Sequence, residues 1–289
     1  KPGAEVTMEA NPGTVEHYRL ADYVSAGVNR LSLGAQSFAT EKLQALGRIH
    51  GREEAIAAIE QALSAGFNSV NVDVMFGLPE QTQQQGLDDL KTLIDLKPQH
   101  ISWYQLTIEP NTLFHHRPPL LPNDDMLWEL QTAGQQLLTN HGYHQYEISA
   151  YAQPHHPCQH NLNYWQFGDY LGIGAGAHSK ITEQQKGEIT RSWKIKHPRA
   201  YLTTQGSFVG GQRTLCQEER PVEYFMNALR LYQPIKQQQA LIHSGMDQQT
   251  FNTALNTLID KAFVTKDDLH FETTEVGKNF LNDALAALT

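Results

Sequence analysis

Three helix-like stretches of this chain end in the same way, on a glycine that leads directly into a strand-like run. Ser25-Ala26-Gly27-Val28-Asn29, Ser64-Ala65-Gly66-Phe67-Asn68 and Asn140-His141-Gly142-Tyr143-His144 share the form, the first two glycines about 40 residues apart and the third about two such periods further on. A glycine just past the last turn supplies the left-handed residue that stops a helix. Lys97-Pro98-Gln99-His100 supplies a break between the second and third. Strands are expected at 5–10, 30–36, 69–76, 101–108 and 143–149, with helices at 15–25, 53–64, 84–96 and 124–140. Strands joined by helix-length connections form right-handed βαβ units and a parallel sheet. The expected class is therefore α/β, a full or partial (β/α) barrel, with a doubly wound sheet as runner-up.

The strand faces carry more information. Side chains alternate with period two, so Val6 and Met8 oppose Glu5, Thr7 and Glu9, and Leu31 and Leu33 oppose Ser32, Gly34 and Gln36. Likewise Val70, Val72 and Val74 oppose Asn71 and Asp73. Parallel strands are usually apolar on both faces. A polar face repeated on three of them points to a lumen that holds a polar ligand, with Glu9, Gln36 and Asp73 near the C-terminal strand ends where barrel sites lie. The competing reading is an antiparallel sheet wetted on one side, which the long connections disfavour.

The chain's 289 residues allow a large domain plus a small one. A net charge of −9 argues against extended contact with a phosphate backbone, so no nucleic-acid partner is expected. Cys158 and Cys216 make neither a disulfide framework nor a CxxC zinc site. Lys1-Pro2-Gly3-Ala4 enters the first strand without an apolar leader, and no apolar run nears the roughly 20 residues that span a bilayer. A cytoplasmic protein without a membrane span is expected, its chain starting in mid-fold.

Nine of the 14 histidines fall between His100 and His178. His155, His156, Cys158 and His160 are a conceivable zinc set, although their spacing fits no standard site. His160 offers an imidazole for an axial iron position, Tyr164 and Trp165 offer flat apolar surface, and Asn161 can bond a carboxylate or fix the loop. A core Tyr-Trp pair with a capping Asn explains the same residues without a ligand. Glycines 172, 174 and 176 lack the dinucleotide-binding spacing and instead suggest close backbone approach to a ligand.

The run His160-Asn161-Leu162-Asn163-Tyr164-Trp165 resembles the HNxxYW signature of the radical S-adenosylmethionine (SAM) haem chaperone family, which is close to the oxygen-independent coproporphyrinogen III oxidases. Tyr146-Glu147-Ile148-Ser149 and the stretch from Tyr170 to Ser179 extend the likeness. So do four ordered blocks, Met8-Glu9-Ala10-Asn11-Pro12, Leu31 to Phe38, Leu46-Gly47-Arg48-Ile49-His50 and Val72 to Pro79. The resemblance implies a partial radical-SAM-type (β/α) barrel, truncated at its N-terminus, with a small C-terminal winged-helix-like domain. It places Glu9 and Arg48 on the amino-acid end of SAM, Gln36 and Asp73 on the ribose hydroxyls, and Thr107 in a weaker backbone contact. A zwitterion needs one fixed charge of each sign, and the Arg fork matches a carboxylate. His160, Asn161, Tyr164 and Trp165 are the implied haem residues, with His160 a candidate iron ligand.

The family's CxxxCxxC motif, which ligates a [4Fe–4S] cluster, has no counterpart here, so a cluster is expected only in a longer protein. The implied activity is haem binding and delivery to apo-haemoproteins, membrane-associated acceptors among them. The alternatives are an oxygen-independent coproporphyrinogen III oxidase and, without any family, a barrel hydrolase using Glu9 and Asp73 as acid and base. The expected divisions are a partial barrel at 1–179, an irregular connection at 180–216 with turns at Gly206 and Gly210-Gly211, and a helical, winged-helix-like domain at 217–289. That last domain carries six Lys or Arg against ten Asp or Glu, which makes it a poor DNA surface.

Overall fold

The computed structural model describes residues 3–14 and 20–289, so part of the helix expected at 15–25 lies outside the described residues. The chain divides into two compact units, 1–157 and 158–289.

The first unit is built on a six-stranded sheet in the order β1-β2-β3-β4-β6-β5. Its strands are β1 (Thr7–Ala10), β2 (Arg30–Gln36), β3 (Ser69–Phe76), β4 (His100–Gln105), β5 (His144–Glu147) and β6 (Ala150–Ala152). β1 to β4 pair in parallel, joined through α1 (Leu20–Ser25), α2 (Thr40–Ala45), α3 (Arg52–Ser64) and α4 (Gln83–Leu96). Short α5 (Leu113–His116) and long α6 (Asp124–Asn140) precede β5. Leu31, Leu33, Val70, Val72 and Val74 are buried with Ala55, Ile59, Leu90 and Leu93 of the helices, forming the apolar half of each alternating strand. Gly27, Gly66 and Gly142 all take the left-handed backbone that ends a helix, and Lys97 does so before Pro98. At the start of α4, Thr82 accepts from the Gln85 amide while the Gln85 side chain accepts from the Thr82 amide.

The strand expected at 143–149 is a correction. β5 reverses into β6, which runs antiparallel to both β5 and β4, so the sheet closes on a hairpin and not on another parallel strand. The Glu147 carboxylate accepts from the Ser149 amide and hydroxyl and makes the turn without glycine or proline.

The second unit begins with α7 (Gln159–Trp165). The segment expected to be irregular is an antiparallel sheet of β7 (His178–Glu183), β8 (Glu188–Lys194) and β9 (Val209–Thr214), with α8 (Pro198–Thr203) before β9. Gly210 and Gly211 are strand residues, not a turn: a side chain at Gly211 would overlap the Trp193 indole, and one at Gly210 would press on the Lys194 backbone. Then follow α9 (Arg220–Ala228), β10 (Ile235–Lys236), α10 (Gln237–Ser244), α11 (Gln248–Asp260), β11 (Val264–Lys266), β12 (His270–Thr273), α12 (Glu275–Asn279) and α13 (Leu281–Ala286). β10, β12 and β11 form a small sheet beside a core of Tyr224, Phe225, Leu255, Phe251 and Phe271. The compact division at Pro157 falls before the expected boundary at 179, so the HNxxYW segment belongs with the second unit. Among the described residues no helix is long and apolar enough to cross a membrane.

Candidate functional site

At the C-terminal ends of β1 to β4 the sequence brings four of its expected residues together. β2 carries a bulge between Gly34 and Gln36, and Gln36 sits in the left-handed region at φ 69°. For a side chain of this kind that conformation costs about 1 kcal/mol or more. The next two residues hold it. The Ser37 hydroxyl donates to Asp89 at 2.6 Å and the Phe38 amide donates to the same carboxylate at 2.8 Å.

The Gln36 amide folds back over Gly34, where an added Cβ would come within 2.8 Å of Nε2, and the Tyr104 hydroxyl donates to Gln36 Oε1 at 3.0 Å. With the carbonyl accepting from Tyr104, the amide N–H₂ over Gly34 is the donor end of Gln36. Arg48 follows the left-handed Gly47 after α2, and its Nη1 donates to Asn11 Oδ1 at 3.1 Å, just beyond β1. Glu9 is exposed at the same end of β1.

Asp73 lies on β3 between these groups. Asn71 Nδ2 donates to one carboxylate oxygen at 2.8 Å and Ser32 Oγ to the other at 3.4 Å. Burial pushes the Asp73 carboxyl above the usual carboxylate range and the nearby charge of Glu9 adds to this, while hydrogen bonds from Asn71, Ser102 and Ser32 oppose it. Burial, and then the charge of Asp73, raises the Tyr104 phenol, with Arg48 opposing. Thr107 is exposed and donates to Glu109 at 3.0 Å, and nothing ties its side chain to the other four.

In the second unit, buried Cys158 precedes α7 and His160 stands exposed in the first turn. The His160 ring lies edge-on to Tyr164 at 4.8 Å, and Tyr164 packs against Tyr170 at 4.4 Å. Trp165 carries the Arg230 guanidinium 4.3 Å above its ring, and its buried Nε1 has no hydrogen-bond partner among the described residues. Asn163, not Asn161, fixes the following turn by donating to Asp169 O at 3.1 Å. Lys180 secures the same turn through Phe167 O and the Asp169 carboxylate, each at 2.9 Å. Gly172 is explained by its own chain: a Cβ there would overlap the His178 backbone, so its close approach is not to a ligand.

The radical SAM superfamily model matches residues 1–93. "Heme chaperone HemW" of Escherichia coli K12 is 50% identical over 282 residues, covering 98% of this chain and 74% of that protein. The protein of the same name from Haemophilus influenzae is 50% identical over 281 residues, covering 97% of this chain and 73% of its own. The chain belongs to the HemW family. Among solved structures, coproporphyrinogen III oxidase (HemN) from Escherichia coli, described as a radical SAM enzyme, superposes with a TM-score of 0.78 over 99% of this chain and 69% of that one. At 21% identity that likeness shows this chain to have the same fold and nothing further.

The radical SAM superfamily, whose model matches residues 1–93, implies SAM and a [4Fe–4S] cluster. The residues at the strand ends fit SAM by their chemistry: a fixed carboxylate, a guanidinium, an amide donor and a second carboxylate face one end of the sheet. They do not fit a cluster. The chain's two cysteines both lie in the second unit, and among the described residues no three His, Cys, Asp or Glu are grouped to hold a metal ion. The same finding leaves the zinc reading of His155, His156, Cys158 and His160 without a ligand set.

Sequence reasoning missed Tyr104, His100 and Ser102, although period two in His100-Ile101-Ser102-Trp103-Tyr104 would have put all three on the polar face. Gly34 gives a test. Its φ is ordinary and the obstructing atom is the end of a flexible side chain, so Gly34→Ala is expected to fold normally while displacing the Gln36 amide. Calorimetry with S-adenosylhomocysteine should then show roughly tenfold weaker binding, as for one lost hydrogen-bonding group in a buried site. Unchanged affinity would remove Gln36 from the ligand.

Proposed function

We propose that this HemW-family chain is a haem chaperone of the cytoplasm that binds haem and delivers it to apo-haemoproteins, membrane-associated ones included. Glu9 and Arg48 take the amino-acid end of SAM, Gln36 and Asp73 the ribose, and Thr107 an outer backbone contact. Haem is cargo at α7: His160 approaches the iron, Tyr164 and Trp165 support the macrocycle, and Asn161 meets a propionate. The cluster that completes SAM chemistry comes from cysteines other than Cys158 and Cys216.

The observation that carries this reading is α7 itself. It holds the HNxxYW motif of a family whose curated relatives are named heme chaperones, and its exposed His160 is backed by the rings of Tyr164 and Tyr170. Leu171 and Ile173, 77% and 88% exposed, add apolar surface directly after those rings.

The test is a haem titration of the chain and of His160→Ala, followed at the Soret band. A saturable shift is expected, weakened about tenfold or more in the variant, the scale of one lost coordinating group. Equal affinities would move the iron ligand off His160, and no saturable binding by either would remove the haem reading.

A further inference from the structure

One face of the first unit's sheet carries a continuous polar chain that crosses four strands. Asn71 on β3, 3% exposed, donates through Nδ2 to Ser32 Oγ and to Asp73 Oδ1, both at 2.8 Å. Its carbonyl faces β4, where His100 Nδ1 lies at 2.6 Å and the Ser102 hydroxyl donates at 3.0 Å. A carbonyl can only accept, so Nδ1 of His100 carries the hydrogen. His100 is wholly buried, and burial, the positive charge of Arg30 and His156 keep its ring neutral. Nε2 is therefore the lone-pair nitrogen, and it accepts from the Tyr146 hydroxyl of β5 at 2.8 Å.

The same heavy atoms permit a second arrangement. With the hydrogen on Nε2, His100 would donate to Tyr146, Nδ1 would become an acceptor, and the Asn71 amide would turn over to satisfy it. Its carbonyl would then face the Asp73 carboxylate, two acceptors in contact. With Asp73 accepting at both oxygens, from Asn71 and from Ser32, only the first arrangement fits.

We infer that His100 and Asn71 are positioning residues for Asp73: the Nδ1–H of His100 fixes the direction of the Asn71 amide, and that amide fixes the Asp73 carboxylate as the acceptor for a ribose diol. Selectivity for ribonucleosides over deoxyribonucleosides then depends on a histidine that does not touch the ligand. This holds only where Asp73 takes the ribose, the role proposed above.

Two substitutions separate the nitrogens. In His100→Asn the side-chain amide nitrogen stands where Nδ1 stood and still donates to Asn71. In His100→Gln the amide reaches the Nε2 position, and Asn71 loses its donor. Both keep a polar amide in the buried site. Binding of adenosine and of 2′,3′-dideoxyadenosine to the 289-residue chain is measured by calorimetry. The parent chain is expected to favour adenosine about tenfold, His100→Asn to keep that preference and His100→Gln to lose most of it, Gln36 supplying the remainder, with dideoxyadenosine affinity within about twofold throughout.

A preference retained in His100→Gln overturns the inference, and so does equal weakening of both nucleosides, the mark of general damage. A parent chain with no preference removes both Asp73 and Gln36 from the ribose, and the inference falls with that reading. Nitrogen-15 spectra of histidine-labelled parent chain need no variant: a buried Nδ1–H tautomer is expected, and an Nε2–H tautomer at His100 overturns the proposal.

Discussion

Gly134→Ala is expected to lower the stability of the first unit by about 2 kcal/mol, although alanine favours a helix over glycine by about 1 kcal/mol. Gly134 lies on the buried face of α6, and an added Cβ would overlap the six-membered ring of Trp103. Trp103 cannot yield easily. It is 1% exposed on β4, its ring 4.5 Å from Phe76 and 6.3 Å from Tyr151, so a shift of the indole pushes on both neighbours. Overpacking of a filled core typically costs about 1–3 kcal/mol and here exceeds the propensity gain. Urea unfolding followed by circular dichroism reads the result as a lower midpoint at unchanged slope. Because Trp103 sits between Ser102 and Tyr104 in β4, the variant should also bind S-adenosylhomocysteine more weakly. A variant as stable as its parent would mean that α6 slides on the sheet without cost.

The same residues show how far the sequence could be read. β3 was legible because Val70, Val72 and Val74 alternate with polar residues and Gly66 announces its start. The reversal after β5 was not, because the signal there is a Glu147 side chain bonding two residues ahead, a pattern with no turn residue in it. In β9 the glycines misled: Gly210 and Gly211 look like a turn, yet they are small because Trp193 and the Lys194 backbone occupy the space a side chain would need.

The candidate site divides in the same way. Glu9, Gln36 and Asp73 follow from strand phase, and Arg48 from the ordered blocks, because these are local features. The chain from Tyr146 through His100 and Asn71 to Asp73 is a set of pairings across strands far apart in sequence, which no local pattern encodes.

Asp89 ties the stability of the chain to pH. It is 3% exposed on α4, accepts from Ser37 and Phe38, and burial raises its carboxyl from 3.8 to about 6, against the pull of those hydrogen bonds and of Arg52. The folded chain thus binds this proton more tightly than the unfolded chain does. The associated stability is fully present below about pH 3.8 and is lost as pH rises through about 6, by about 3 kcal/mol in all. Asp89→Asn keeps an acceptor for the Phe38 amide and offers its own N–H to Ser37, but has no proton to lose. Between about pH 4.5 and about pH 7.5 the parent is therefore expected to lose about 2 kcal/mol relative to Asp89→Asn, read from urea midpoints at matched pH. A difference that stays flat would mean that Asp89 is ionised at little cost and that the turn after Gln36 is held without burial strain. A difference of the expected sign ties that turn to pH, since the carboxylate carrying the penalty is the one that holds Ser37 and Phe38 directly behind the left-handed Gln36.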